Sequence, residues 1–536
     1  MENIVAKYER SFRENRRLPA LTDCNSGRTY SYLELAATVD TFHKIFRENG
    51  LVKGDKVALI GKNSINWICA YVSILTYGAT AVPILADFNP KDMAGIINHS
   101  DSRLLFCDKA ILEKMGSPEL PAVKRTFCLE EMPQPDTASF DIDKLKFAQV
   151  DDEDIAVISY TSGTTGASKG VMLPIRSLSN NAQFALDHNF HFRESRVLAL
   201  LPLAHAYGAA FDLVTPLAAG SHIWVLGRIP TPKILLDALK TVKPHLICTV
   251  PLVMEKIVRK NIMPLFEKPG IKFLAGTPVI RRFLHNKMRD GLLEALGGCI
   301  KEVNMGGAAL AADVEKVLRL IRFPFTVGYG MTECGPLISY ESWKKFKPGS
   351  CGTILPGMEV KVMADGYEGG LGEICVRGIN VMKGYYKNPE ATSAVMIDGW
   401  FHTGDVGYVD KDGTIFLKGR CKSMILTSSG QNIYPEEIES KLNHLDAVGE
   451  SLVYEENGRL YALVVPDSEK SRNMSDEEID SIMTINLGIL NSLVAPYEKI
   501  AGIRVCAEPF EKTPKQSIKR FLYPKMAKFK RKEGSE

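Results

Sequence analysis

The sequence is short of several features that would send its reading elsewhere. Its eleven cysteines run from Cys24 to Cys506 without one C-x-x-C pair, so spacing offers neither a zinc site nor a disulfide framework, and a reducing, cytoplasmic setting is expected. A surplus of one charge sign is missing too. The 66 basic and 63 acidic residues leave a formal net charge of +3, which gives no global reason to expect nucleic acid as a partner. The opening stretch MENIVAKYERSFRENRR carries charges every few residues around no apolar centre; it is unlike a secretory signal and reads as an amphipathic surface helix. Internal repeats and long low-complexity tracts are absent. Long hydrophobic runs are scarce. The exception, Ile65 to Leu85, has 21 uncharged residues, enough in principle to cross a bilayer. Asn66, Ser73, Thr76 and Thr80 dilute it, and Gly78 and Pro83 punctuate it, so the expectation is a buried helix followed by a buried strand, and no transmembrane segment.

What is present is an ordinary globular composition, 45% hydrophobic and 24% charged over 536 residues, ample for more than one core. Through about the first 350 residues, apolar runs such as KVALIG, RLLFCD, DIAVISY, SHIWVLG and HLICTV alternate with segments of helical period. That alternation predicts an α/β fold of parallel sheets covered by helices. After Ser350 the texture changes to short strands with turn signals at Pro356-Gly357, Asp365-Gly366, Asp398-Gly399 and Asp412-Gly413, a small antiparallel or β-barrel region. Beyond Gly419-Arg420 a third texture begins, strand-like SMILTSSG, then PEEIESKLN, then strand-like GRLYALVVP, then a charged helix from near Ser475. We therefore expect a large N-terminal domain over residues 1–419 and a small α+β domain over residues 420–536. From Lys515 to Lys532 there are eight Lys or Arg and no acidic residue. This basic tail reads as solvated, with peripheral contact to anionic lipid as the alternative.

The strongest local signal is YTSGTTGASKG, Tyr160 to Gly170, directly after the strand-like run Ile155 to Ser159. Three glycines let backbone N–H groups approach an anion, five Ser and Thr hydroxyls add donors, and Lys169 adds positive charge. The candidate phosphate ligands are Thr161, Ser162, Gly163, Thr164, Thr165, Gly166 and Lys169. The spacing is not that of a Walker loop, because Gly163 and Gly166 are three apart and Gly170 follows Lys169. Taken alone, the composition also suits a flexible linker.

Five further motifs decide between those readings: LPLAHAYG at 201–208, GGAAL at 306–310, GYGMTE at 328–333, GWFHTGD at 399–405 and GRCKSMI at 419–425. In that order, over residues 20–525, the chain resembles the adenylate-forming superfamily of acyl-CoA synthetases, luciferases and peptide-synthetase adenylation domains. The texture around DGWFHTGDVGYVDKDG is most similar to long-chain fatty acid–CoA ligases, although LKGRCKS stands where that branch has an IDRKK-type continuation. The resemblance implies a small C-terminal domain that moves between half-reactions, with ATP, Mg²⁺ and coenzyme A as cofactors. It also implies that Tyr329 stacks on adenine, Thr332 contacts phosphate and Glu333 holds magnesium. Gly306, Gly307 and Ala308 would let backbone approach the adenine and acyl groups, Asp405 would take both ribose hydroxyls, and Arg420 would supply a second ribose or phosphate contact. By the same resemblance Lys422 is the interdomain hinge, His205 stands beside the acyl pocket and Gly430 lines the thiol tunnel.

One departure concerns the lysine that serves adenylation in this family. The C-terminal pattern P-T-G-K-I-x-R has its counterpart in KTPKQSIKR, 512–520, and aligning Ile518 and Arg520 puts Ser517 in the lysine's place. Serine has no charge to offer. Lys515 and Lys519 flank it two residues away on each side, on one face if the segment is extended. Lys519, set in the matching IKR context, is the first candidate and Lys515 the second. The expected activity is ATP-dependent joining of a carboxylic acid, in this reading a fatty acid, to coenzyme A through an acyl adenylate. The alternatives are loading of an acyl carrier protein, oxidation of a luciferase kind, and a nucleotide-binding relic.

Overall fold

The computed structural model describes residues 1–161, 168–227, 231–268, 277–364, 370–426, 432–456, 458–506, 508–512 and 518–523. Two sheets organise the first part of the chain. One has the strand order Phe325–Val327, Glu302–Met305, Leu246–Thr249, Arg196–Ala199, His222–Val225, Pro19–Asp23, Thr29–Ser31, parallel except for the last pair. The other has the order Arg125–Cys128, Leu104–Cys107, Lys56–Ile60, Thr80–Ile84, Ile155–Thr161, Lys169–Pro174, again parallel except for the last pair. Five of these strands, Lys56–Ile60, Leu104–Cys107, Ile155–Thr161, His222–Val225 and Leu246–Thr249, fall in the apolar runs whose unbroken character predicts strands. A parallel strand covered on both faces has no reason to alternate.

Helices supply the cover. Ile4–Glu14, Tyr32–Glu48, Ile65–Thr76 and Ile175–Asp187 join strands of both sheets in one continuous core. A second core gathers the helices Pro232–Val242, Pro251–Asn261, Pro278–Ala295 and Ala312–Leu320 against the first sheet. A third gathers Pro90–His99 and Lys109–Met115 against the other sheet. The opening helix is amphipathic as expected, burying Ile4, Tyr8 and Phe12. The apolar run resolves into helix Ile65–Thr76 and the wholly buried strand Thr80–Ile84. Ser73 and Thr76 donate their hydroxyls to the carbonyls of Cys69 and Val72, so burial leaves neither hydroxyl unpaired. Among the described residues no helix is long and apolar enough to cross a membrane.

The texture change near Ser350 is an antiparallel region. Strands Met358–Met363, Gly372–Gly378, Trp400–Val409 and Ile415–Arg420 pair in sequence, with Met396–Ile397 against Trp400–Val409. Its turns use Gly357, Gly399 and Gly413, each in the left-handed region that excludes most side chains; Asp365-Gly366 lies outside the described residues. Farther on, helices Pro435–Leu442 and Asp476–Leu493 pack on strands Val448–Glu456, Arg459–Pro466 and Ile500–Val505. Ile438, Leu442, Val453, Val464 and Leu490 form a separate α+β core there, each fully buried apolar side chain stabilising it by roughly 1.5–3 kcal/mol. Ser475 starts the last helix with a capping box to Glu478.

Candidate active site

Asp405 is the centre of the site. It lies in the strand Trp400–Val409 directly opposite Arg420, and Arg420 Nε donates to its Oδ1 at 2.9 Å. The Tyr329 hydroxyl donates to Oδ2 at 2.7 Å. Both Asp405 and Tyr329 are 6% exposed, so sequence positions 76 residues apart meet inside the protein. Burial raises the carboxyl above its ordinary range, opposed by Arg420 and the tyrosine hydroxyl. A carboxylate has about four lone-pair directions. Two are used here, which leaves room for the paired hydroxyls of a ribose.

Glu373 braces that carboxylate from behind. Its Oε2 accepts from His402 Nδ1 at 2.7 Å and its Oε1 from the Gly404 backbone N–H at 2.9 Å. Gly404, just before Asp405, sits at φ 73, a conformation that most side chains resist. Among the described residues, Glu373, Cys375 and His402 bring possible metal-ligating atoms within 4.8 Å of one another. Both glutamate oxygens are already engaged by the hairpin that carries Asp405, so the group acts as a brace. Nothing in the sequence separates this brace from an ordinary strand pair.

Glu333 forms the second centre. It lies in the short turn Thr332–Cys334, is 9% exposed, and accepts from the Tyr385 hydroxyl at 3.1 Å. Lys169 Nζ stands 5.0 Å from the centre of the same Tyr385 ring, a cation–π distance. Tyr385 therefore joins the phosphate loop's lysine to the GYGMTE turn. Its position is set by backbone: Met172 N–H donates to the Gly384 carbonyl, Tyr386 N–H to the Gly170 carbonyl, and Val171 bridges Tyr385. On its other side Gly170 packs against the paired strand Ile155–Thr161, where a Cβ would stand 2.9 Å from Ile158 and 3.0 Å from Tyr160. Tyr385 was missed in the sequence, where KGYYKNPE is an unremarkable loop.

Thr161 and Lys169, the two ends of the phosphate loop, are register partners on antiparallel strands. Ser162, Gly163, Thr164, Thr165 and Gly166 lie outside the described residues. Thr332 is 5% exposed beside Glu333. Gly306 continues the strand Glu302–Met305, its N–H donating to the Thr249 carbonyl, while Gly307 and Ala308 are exposed at the sheet end. His205 caps the turn Ala206–Gly208, its Nδ1 accepting the Tyr207 N–H at 3.2 Å.

The C-terminal residues are placed differently. Lys422 follows Arg420 between strands Ile415–Arg420 and Ile425–Leu426. Ile518 pairs with Lys512 in an antiparallel bridge. Lys519 Nζ lies 3.3 Å from Glu511 Oε2, and its N–H donates to the Glu511 carbonyl. Arg520 reaches the nearly buried Glu439 of helix Pro435–Leu442, whose burial pushes its carboxyl up to about 7 against the pull of Arg520. Lys515, Ser517 and Gly430 lie outside the described residues.

The sequence pattern described as AMP-binding enzyme matches residues 8–386. The long-chain-fatty-acid–CoA ligase FadD15 of Mycobacterium bovis is 27% identical over 534 residues, covering 88% of this chain and 86% of that protein. The 4-coumarate–CoA ligase 3 of Oryza sativa is 30% identical over 452 residues, covering 79% of this chain and 75% of that protein. Among solved structures, an anthranilate CoA ligase bound to anthranoyl-AMP superposes with a TM-score of 0.78 at 21% identity over 98% of this chain and 97% of that one. The o-succinylbenzoate CoA synthetase of Bacillus subtilis with AMP gives 0.75 at 23% identity over 96% and 97%; at such identities these two establish the fold. With the family pattern running through the sheets and the Glu333 turn, the chain belongs to the AMP-binding, adenylate-forming enzymes, in the family of acid–CoA ligases.

Proposed function

We propose that the protein couples ATP cleavage to the joining of a fatty acid to coenzyme A, with an acyl adenylate as intermediate. The observation that carries the reading is the buried Asp405, held by Tyr329 and Arg420 with two acceptor directions to spare. Asp405 takes the ribose hydroxyls and Arg420 stays within reach of ribose or phosphate. Tyr329 supports adenine beside the Gly306–Ala308 turn. Thr161, Lys169 and Thr332, with the loop residues between Thr161 and Lys169, hold the triphosphate.

Glu333 fits a magnesium ion, which takes one or two carboxylates and completes its shell with phosphate oxygens and water. Bound there, the ion supplies neutralisation of phosphate charge. The substrate carboxylate attacks the α-phosphorus, a C–O–P bond forms and the bond to pyrophosphate breaks. Lys169 and a C-terminal lysine, Lys519 first and Lys515 second, offset the charge that develops on the phosphates. The thiol of coenzyme A then attacks the acyl carbon and AMP leaves. By the resemblance, His205 borders the acid and Gly430 is assigned to the thiol tunnel. The domain beginning near Arg420 turns about Lys422 between the two steps. The surface pair Lys519–Glu511 is no obstacle to this, being worth at most about 1 kcal/mol.

A panel of acids from short to long and aromatic, assayed for AMP and thioester with and without coenzyme A, tests the reading. The expected result is thioester with fatty acids and AMP release that depends on the acid. ATP binding without pyrophosphate release for any acid would overturn it, and thioester formation confined to aromatic acids would remove the fatty-acid part.

A further inference from the structure

We infer that the acid pocket contains a polar subsite, the Asn304 carboxamide, and that the acid activated carries a hydroxyl or carbonyl group on its acyl portion. This rests on the acid-activating reading above and narrows its substrate class.

Asn304 lies in the strand Glu302–Met305, two residues before Gly306. It is 6% exposed, and neither its Oδ1 nor its Nδ2 has a hydrogen-bond partner. A buried amide without partners is costly, and such a group in a native protein calls for a ligand or an ordered water. Its neighbours do not supply the missing bonds. Asn304 is in register with Cys248 on one side and Thr326 on the other, and Thr326 spends its hydroxyl on the Glu341 carbonyl at 2.6 Å. The Tyr207 hydroxyl donates to the backbone carbonyl of Asn304 at 2.9 Å, not to its side chain.

The side chain faces the right way. Val303 and Met305 belong to the outer core beneath helices Pro251–Asn261 and Ala312–Leu320. The alternate face of the same strands carries Cys248 into the central core, against which Tyr207 and Phe211 pack. Gly306 is the next position on that face, and a Cβ there would stand 3.4 Å from the Tyr207 ring. Asn304 is therefore one strand repeat, roughly 6–7 Å, deeper than Gly306. His205 sits two residues before Tyr207 and caps the same turn. An acid whose carboxylate lies by His205 and Gly306 runs its acyl group across Tyr207 toward Asn304. A plain alkyl chain there would seal the amide from water with no partner. A hydroxyl or carbonyl would satisfy it, since a carboxamide both donates and accepts.

The test compares acids matched in skeleton: octanoate against a hydroxyoctanoate and an oxooctanoate, and cinnamate against 4-coumarate. It uses the full chain and its Asn304→Leu and Asn304→Ser variants. In the wild type at least one substituted acid should exceed its unsubstituted partner by about tenfold or more in kcat/KM for AMP release. Asn304→Leu should abolish or invert that ratio, and Asn304→Ser should keep part of it. The substituted acid should also raise the wild-type melting temperature more than its partner, a difference lost in Asn304→Leu, which reads the subsite even without turnover. Asn304→Leu alone should melt higher than the wild type, because an unpaired amide is replaced by an apolar group of similar shape. A lower melting temperature, or equal acid ratios in all three proteins, would mean that Asn304 serves an ordered water or the fold only and would overturn the inference. Absence of AMP with every acid would count against the ligase reading instead.

Discussion

The two halves of the proposed site are built on different physical principles. Around Asp405 and Glu333, five separate stretches of chain interlock: Tyr329 on Asp405, Glu373 behind Gly404, Tyr385 between Glu333 and Lys169. Lys519 itself pairs locally, with a residue 8 away whose side chain is 67% exposed, although the adjacent Arg520 reaches back 81 residues to Glu439. Burial makes each hydrogen bond in the first region expensive to lose, whereas exposed ion pairs are screened and replaceable. A site assembled this way can keep a fixed nucleotide cradle while a lysine position drifts.

The largest expected effect breaks the cradle. Asp405→Ala should lower kcat/KM for ATP by about a hundredfold or more in acid-dependent pyrophosphate exchange, since the two charge-assisted bonds to ribose proposed above would go together. A loss below about threefold would make the buried carboxylate structural only. Next in size, Lys519→Ala should slow adenylate formation by roughly tenfold to a hundredfold. Thioester formation from supplied acyl adenylate should be spared. If Lys515→Ala does this instead, the role moves to Lys515, and equal loss in both half-reactions removes both.

Burial elsewhere in the large domain predicts a pH effect as well. Asp212, 2% exposed, accepts the N–H groups of Leu200 and Leu201 at 3.3 Å, and burial pushes its carboxyl up to about 8. The ordinary value is about 3.9, so the folded protein keeps a proton that the unfolded chain releases. Its contribution to stability then falls as pH rises from about 4 through about 8 and is level above. Asp212→Asn should therefore gain on the wild type across that window, by on the order of a few kcal/mol in urea unfolding at a series of pH values. A pH-independent difference would place the carboxyl in contact with water.

Smaller effects sharpen the contrast. Tyr329→Phe removes the hydroxyl from Asp405 and should cost about 1–2 kcal/mol of stability, little changed by salt. Glu511→Ala should cost less than about 0.5 kcal/mol, and that little should vanish at high ionic strength. Equal, salt-sensitive costs for the two would erase the distinction between the regions.

The nucleotide motifs were legible because each packs its chemistry into a few consecutive residues: glycines where backbone must approach, and Glu333 or Asp405 beside them. The parallel sheets were legible from unbroken apolar runs. The brace was not. Glu373 and His402 are 29 residues apart, and only strand pairing brings them to one carboxylate's two oxygens. Tyr385 was hidden for the same reason, 52 residues from Glu333. Asn304 could not be singled out either, since an asparagine in a strand gives no sign that its partners are missing.

The sequence by itself determined the order of layers, the family, and the residue types proposed to meet ATP, because hydrophobic period and local motifs act over short stretches of chain. Tertiary structure alone decided which of those residues meet. Asp405 became a buried acceptor held by Tyr329 and Arg420, Glu333 was tied to Lys169 through one tyrosine ring, and Asn304 was left with a donor and an acceptor unspent. Each depends on excluding water from groups distant in sequence, and only the packed fold sets which groups those are.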